Sequence, residues 1–473
     1  MQEKYTLGMI GLGTMGRNLL LNMADHGFAV AGHDKNPAQL ALLESEGKGK
    51  PVKGFSHLED LIKNLTVPRV LMLLVPAGKI VDSVIGELSA VLQPGDIIID
   101  AGNSHFRDTM LRDALCKEKG FHFFGMGISG GEEGARKGPS MMPGGDKEAY
   151  VYVKPVLNAI AARIGDEPCV AYIGPGASGH FVKMVHNGIE YALMQLIADS
   201  YELMKKGLQL DNSAINEVFS NWNNGRLQSY LLEITSDIFR YKQKTSSEFL
   251  VDAIKDEAKA KGTGKWTSQI AMELELPVPV IDSAVCMRDL SKYKSLRMKT
   301  ARIYPQQQDI KLKSGAKEFL VQLEAAYFFS MSVIYAQGMH LLAKGSEANQ
   351  YNLHLDEIAK IWRGGCIIRA KFLDLIYKAF QKTPLIEHLL LDESVAEMIL
   401  QSNSSIRNVV SESARCGISI PAFSASLSYF DAIRSERMPS NLIQAQRDYF
   451  GAHTYELTGK EGVFHTEWNG IPS

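Results

Sequence analysis

Thr6-Leu7-Gly8-Met9-Ile10-Gly11-Leu12-Gly13-Thr14-Met15-Gly16 decides how the first part of the chain folds. An apolar strand, Thr6 to Ile10, runs into glycines spaced G-x-G-x-x-G, and an apolar helix, Asn18 to His26, follows. In that setting the first glycine permits a tight turn, the second lets the backbone approach a pyrophosphate, and the third packs helix on strand. The helix N-terminus favours the anion. A ligand-free strand-to-helix turn is the competing reading. The flanking periodicity and the next strand, which ends at Asp34, favour a dinucleotide site. Asp34 lies about twenty residues past the fingerprint, where a carboxylate accepts hydrogen bonds from the adenine ribose of NAD and repels the 2′-phosphate of NADP. Lys35 can offset that repulsion as a point charge. The residues lean towards NAD or dual use.

Further strand candidates are Ala29 to His33, Arg69 to Val75, Asp96 to Asp100, Phe121 to Phe124 and Cys169 to Ile173, separated by helical stretches. Apolar strands alternating with helices predict a Rossmann-type α/β domain over residues 1–177. After Gly174-Pro175-Gly176, apolar residues recur at helical spacing, so 178–436 is expected to be a large all-α domain. Within it, Phe181 to Gly207 and Phe319 to Gly345 are both long apolar helices that are followed by similar Leu-Asp and Ile spacings, which suggests a duplicated unit. Counting back from Gly345 sets Val321 against Lys183 and Phe328 against Glu190. Only the first copy then carries chemistry, and changes at Val321 or Phe328 should impair stability alone. Residues 437–473 start with a short helix and lose periodicity, so they read as an extended C-terminal tail that needs support from elsewhere.

The 473 residues are 45% hydrophobic, with 51 basic and 53 acidic side chains and a formal charge of -2, which gives no bulk reason to expect nucleic acid or a membrane as partner. No apolar run is read as a membrane span. Five scattered cysteines without a C-x-x-C pair suggest neither a disulfide framework nor a metal site, and no metal is expected. With no signal-peptide pattern, the expected location is cytoplasmic.

Two segments point to chemistry. Gly125-Met126-Gly127-Ile128-Ser129-Gly130-Gly131, continuing to Gly144-Gly145, leaves backbone N–H groups open to a carboxylate or hydroxyl-rich ligand; a plain flexible loop competes. Lys183-Met184-Val185-His186-Asn187-Gly188-Ile189-Glu190-Tyr191 sits near the start of the first long helix. At about 3.6 residues per turn, Lys183, Asn187 and Glu190 share a face with His186 beside them. Singly, such residues are more often solvated ions or structural histidines. As a cluster on an apolar helix they would be costly unless paired or functional.

With Gly102-Asn103-Ser104, Lys261 to Thr267, Tyr335 to Gly338, Ile361 to Arg369 and Leu442 to His453, these segments resemble the decarboxylating 6-phosphogluconate dehydrogenase family over nearly the whole chain. The Ser129 segment and the Lys183-Asn187 pair alone would fit any β-hydroxyacid dehydrogenase, including one acting on a smaller unphosphorylated acid. A catalytically silent dinucleotide-binding protein is the other alternative. The resemblance implies Lys183 as base and Glu190 as acid, and a substrate held by Asn103, Ser129, Gly130, Gly131, His186 and Asn187. It implies Tyr191, Lys261, Thr263, Arg288, Arg447 and His453 at the phosphate, the last two reaching across a homodimer from the partner's tail. NADP or NAD would lie against Gly11, Gly13, Thr14, Met15, Gly16, Asp34, Lys35, Val75, Ala77 and Asn103. Where the family usually has Asn-Arg-Thr and Val-Lys-Ala, this chain has Asp34-Lys35-Asn36 and Val75-Pro76-Ala77, so one cation near the coenzyme is missing.

Overall fold

The computed structural model describes residues 4–244, 246–260, 262–305, 312 and 315–468. They form two compact units, one ending at Ser426 and one beginning at Leu427. The first opens with a seven-stranded sheet: β1 Leu7–Ile10, β2 Val30–His33, β3 Val52–Phe55, β4 Val70–Leu73, β5 Ile97–Asp100, β6 His122–Ser129 and β7 Ser140–Gly145. Its order is β3-β2-β1-β4-β5-β6-β7; neighbours run parallel except β6 and β7, which are antiparallel. Along each central strand successive residues feed opposite faces. Met9, Met72, Ile97 and Ile99 enter one core; Ile10, Leu71, Leu73 and Ile98 enter the other. Burial on both faces is why these strands read as unbroken apolar runs.

Register aligns the strand ends. Ile10 pairs with His33 and with Leu73, and Leu73 pairs with Asp100. Gly11, Asp34, Val75 and Asn103 therefore follow strands that end along one edge, where strand order reverses and ligands bind in open sheets.

Among the strands, two expectations are corrected and one strand is added. Cys169 to Ile173 is not a strand; Val170 makes only an isolated bridge to Met141. The half-exposed edge strand β3 was not foreseen. Ser140 to Gly145, read as part of a glycine-rich loop, is a buried strand, and β6 continues through Gly125, Gly127 and Ser129.

From Ser178 to Ile433 the elements are all helices among the described residues. The Ser178–Glu202 helix packs on β6 and β7 and also against the 34-residue Ala316–Asn349 helix. The latter is long and apolar enough to cross a membrane, contrary to the expectation that no run would be, but 72% of its most apolar window is buried inside the protein. A core helix satisfies the same length and composition. Close approach between the two helices is built into the sequence: a Cβ on Gly338 would lie 2.4 Å from Ile189, and one on Gly345 2.0 Å from Phe181. Phe328 is buried, whereas Val321 is 66% exposed, so of the two only Phe328 is a core residue.

The second unit contains the Ser440–Gly451 helix and an antiparallel hairpin, Tyr455–Leu457 with Lys460–Phe464. The buried Asp448 organises it, accepting hydrogen bonds from Thr454 N–H, His465, Thr466 N–H and Trp468 at 2.9 to 3.1 Å. Desolvation would raise this carboxyl, but those donors outweigh it and hold the group at about 2. Leu442, Ile443, Tyr449 and Phe450 remain exposed.

Candidate active site

The three fingerprint glycines differ in what surrounds them. Gly11 has φ +94°, and a Cβ there would strike Leu74 O at 2.5 Å; a Cβ on Gly16 would strike Gly11 O at 2.0 Å. Gly13 has open space instead, which leaves its backbone free to meet a ligand. Beside it is a cavity of about 620 Å³ lined by Gly11, Gly13, Asp34, Lys35 and Val75, among others. Such a volume suits a cofactor fragment. Thr14 and Met15 start the helix, and Ala77 and Asn103 are exposed; none of these four lines that cavity. Asp34 is held in place, with one oxygen accepting from Leu12 N–H and the other from Asn36 N–H, both at 2.8 Å.

Asn103 is presented by a clamp that sequence reasoning missed. Asp100, the last residue of β5, accepts from Gly102 N–H, Ser104 Oγ and Arg112, and Arg112 also reaches Asp82 and Gly78 O. The signal was a lone carboxylate closing an Ile-Ile-Ile strand. Buried and fully engaged, this ion pair positions the loop rather than touching a ligand.

The strongest assembly lies on the Ser178–Glu202 helix where it crosses β6. Gly127 makes the contact possible, because a Cβ there would sit 2.4 Å from Lys183 Cβ. Lys183, His186 and Asn187 are all buried. Ser129 Oγ accepts from Ile367 N–H at 3.2 Å, leaving its own proton to donate to His186 Nε2 at 3.1 Å. His186 Nδ1 then carries the ring proton and donates to Asn187 Oδ1 at 3.1 Å. Lys183 Nζ stands 3.3 Å from that same Nδ1, a position that suits the lone pair of a neutral amine. Glu190 Oε2 is 3.9 Å from it on the other side.

Burial sets the charges. It pushes Lys183 below its ordinary value, opposed by Glu190 and the Cys366 sulfur. It pushes Glu190 up, opposed by Lys183 and Arg288. Burial and then Lys183 drive His186 well below its usual range, so the ring stays neutral. A base made less basic and an acid made weaker, two turns apart on one helix, is the pattern that separates acid and base roles.

Trp362, Gly365 and Cys366, far along the chain, close this site, and sequence reasoning did not place them there. Trp362, fully buried, meets the His186 ring edge-on at 5.5 Å. The Cys366 thiol donates to Trp362 O and is pushed up to about 12 by burial, so it stays protonated. A Cβ on Gly130 would lie 2.5 Å from Gly365 O, whereas one on Gly131 would meet open space. Two turns along the helix from Lys183, Arg288 lies 3.6 Å over the Tyr191 ring. Thr263 is buried at the start of the Thr263–Glu273 helix, whose Gly264 approaches Tyr191 so closely that a Cβ would be 2.3 Å away. Tyr191, Thr263 and Arg288 are thus gathered in one region. Lys261 lies outside the described residues. Arg447 and His453 belong to the second unit, where both are exposed and Arg447 donates to Gln444.

Comparison with known proteins covers almost the entire chain. Residues 6–174 match the family model for the NAD binding domain of 6-phosphogluconate dehydrogenase, and 179–468 that for the C-terminal domain of 6-phosphogluconate dehydrogenase. The NADP(+)-dependent, decarboxylating 6-phosphogluconate dehydrogenase of Bacillus subtilis is 46% identical over 98% of this chain and 99% of its own. The decarboxylating enzyme of Escherichia coli is also 46% identical, over 98% and 99%. Among solved structures, Plasmodium falciparum 6-phosphogluconate dehydrogenase, known in its apo form and in complexes with its cofactor NADP+ and its substrate 6-phosphogluconate, superposes with a TM-score of 0.95. It is 45% identical over 98% of this chain and 100% of that one.

Proposed function

Since the chain belongs to the decarboxylating 6-phosphogluconate dehydrogenase family, we propose that Lys183 and Glu190 are the base and acid of its reaction. That reaction is the oxidative decarboxylation of 6-phosphogluconate to ribulose 5-phosphate and carbon dioxide, with reduction of a nicotinamide coenzyme. The bound coenzyme supplies the hydride acceptor. Lys183, made less basic by burial, acts in its neutral form and takes the proton from the hydroxyl on the third carbon as that carbon becomes a carbonyl. The resulting β-keto acid loses its carboxylate, and protonated Lys183 stabilises the developing enolate oxygen. Glu190, whose carboxyl burial pushes up, then delivers a proton to the first carbon of the product. The observation that carries this reading is the pair of oppositely perturbed side chains flanking His186 Nδ1 on one buried helix.

Ser129, Gly130, Gly131, Asn103, His186 and Asn187 hold the carboxylate and hydroxyls; Tyr191, Lys261, Thr263 and Arg288 hold the phosphate end. NADP or NAD occupies the cavity beside Gly13, with Thr14, Met15, Val75, Ala77 and Asn103 contributing around it. Asp34 favours NAD, and Lys35, beside it, is a cation available to a 2′-phosphate. The protein works as a homodimer in which Arg447 and His453 reach the partner's phosphate site. The exposed apolar face of Leu442, Ile443, Tyr449 and Phe450 supports that arrangement.

The test is nicotinamide reduction at 340 nm with 6-phosphogluconate, using each coenzyme, on wild type and Lys183→Met. Turnover that disappears in a folded Lys183→Met is expected. Turnover retained by that variant would remove Lys183 from the mechanism.

A further inference from the structure

The coenzyme cavity holds an ion pair that the proposed function leaves unexplained. Its far wall is the Lys79–Ser89 helix, and Lys79, Ser83 and Glu87, spaced one turn apart, all line the cavity opposite Asp34, Lys35 and Asn36. Lys35 Nζ crosses to Glu87 Oε1 at 2.8 Å. Ser83 Oγ approaches the same oxygen at 3.5 Å. The Asp34 oxygens accept backbone N–H groups of Leu12 and Asn36 instead. The lysine side chain is 74% exposed and the glutamate 40%, so solvent screens the pair and holding it together adds little stability. What it does change is the charge met by a ligand.

A 2′-phosphate entering beside Lys35 meets a cation whose charge is already answered, together with a carboxylate that repels it. A plain ribose hydroxyl meets neither cost. We propose that Glu87 is a coenzyme-discriminating residue that biases this enzyme against NADP by engaging Lys35. It acts through Lys35 and is a specificity residue, not a catalytic one. The inference rests on the coenzyme occupying this cavity.

The experiment is calorimetric titration of NADP and NAD into wild type, Glu87→Gln, Lys35→Ala and the double variant, at low ionic strength where the pair is least screened. Glu87→Gln should tighten NADP by about fivefold and move NAD less than twofold, the upper end of what one exposed ion pair is worth when it is released to a phosphate. In the Lys35→Ala background the same change should shift the NADP to NAD ratio less than twofold. A ratio in Glu87→Gln within twofold of wild type overturns the inference, as does a shift that survives intact without Lys35. Gly13→Val separates this from the coenzyme site itself. It should abolish binding of both coenzymes, and undiminished binding would place the coenzyme elsewhere and remove the ground for the inference.

Discussion

Replacing Gly127 by alanine tests whether the sheet sets the position of Lys183, the proposed base. The new Cβ would sit 2.4 Å from Lys183 Cβ and 2.9 Å from its Cγ, whereas ordinary contact begins near 3.4 Å. About 1 Å must be found by moving the helix off β6, because both partners are parts of rigid, buried elements. Overpacking of this kind costs about 1–3 kcal/mol of stability. A displacement of about 1 Å at a catalytic group can cost about 10²-fold in rate. Thermal denaturation and steady-state kinetics at 340 nm should therefore show a folded protein, destabilised by a few kcal/mol, with kcat reduced by about two orders of magnitude. The dissociation constant of the coenzyme, whose proposed cavity does not include this strand, should hardly change. A variant with the expected loss of stability but full kcat would refute the claim that strand contact positions Lys183.

Glu190→Gln should lower kcat by about 10²–10⁴. Because Glu190 must be protonated and its carboxyl is raised, its loss appears on the alkaline side of the pH profile, and an alkaline limb unchanged in the variant would argue for another acid. Asp199 is raised from 3.8 to about 7, by burial against the opposing hydrogen bonds of Gln195 and the Ala422 and Phe423 N–H groups. Its folded-state value exceeds the unfolded one, so its contribution is full below pH 3.8 and is lost as pH rises through about 7, worth at most about 4 kcal/mol. Melting temperatures of wild type should fall relative to Asp199→Asn between pH 4 and 8, and parallel curves would contradict the assignment. Phe328→Ala should cost about 3–5 kcal/mol, since Phe328 packs against Phe372 and beneath Arg226, while Val321→Ala at the surface should stay within about 0.5 kcal/mol. Neither should alter the pH profile of turnover; a selective loss of turnover in a stable variant would give the second long helix a role in chemistry.

Much of this was legible because it is local. The G-x-G-x-x-G turn, the apolar strands and the polar face of the Lys183 helix are each encoded within about ten residues, by steric demands that a single segment expresses. Ser140 to Gly145 was not legible, since glycine and proline argue against a strand until β6 supplies the pairing and the Ser178–Glu202 helix the cover. The Ser129 contact with Ile367 spans 238 residues, and nothing near either position announces the other. The same holds for Trp362 against His186. The apolar run Cys169 to Ile173 misled because burial alone, without ladder pairing, also selects apolar residues.

Lys183, His186, Asn187 and Glu190 stand on one unbroken helix, whereas Ser129 and Asn103 arrive from the sheet. The helix is a stiff rod, so the spacing between base and acid is written into the chain as an axial rise and does not depend on how the two halves of the first unit settle against each other. Any flexing between sheet and helices would alter the distance to the hydride acceptor and leave the proton-handling pair unchanged. If Lys183 and Glu190 are the base and acid, oxidation is the posture-sensitive half of the reaction, and the proton transfers that follow run on a fixed gauge.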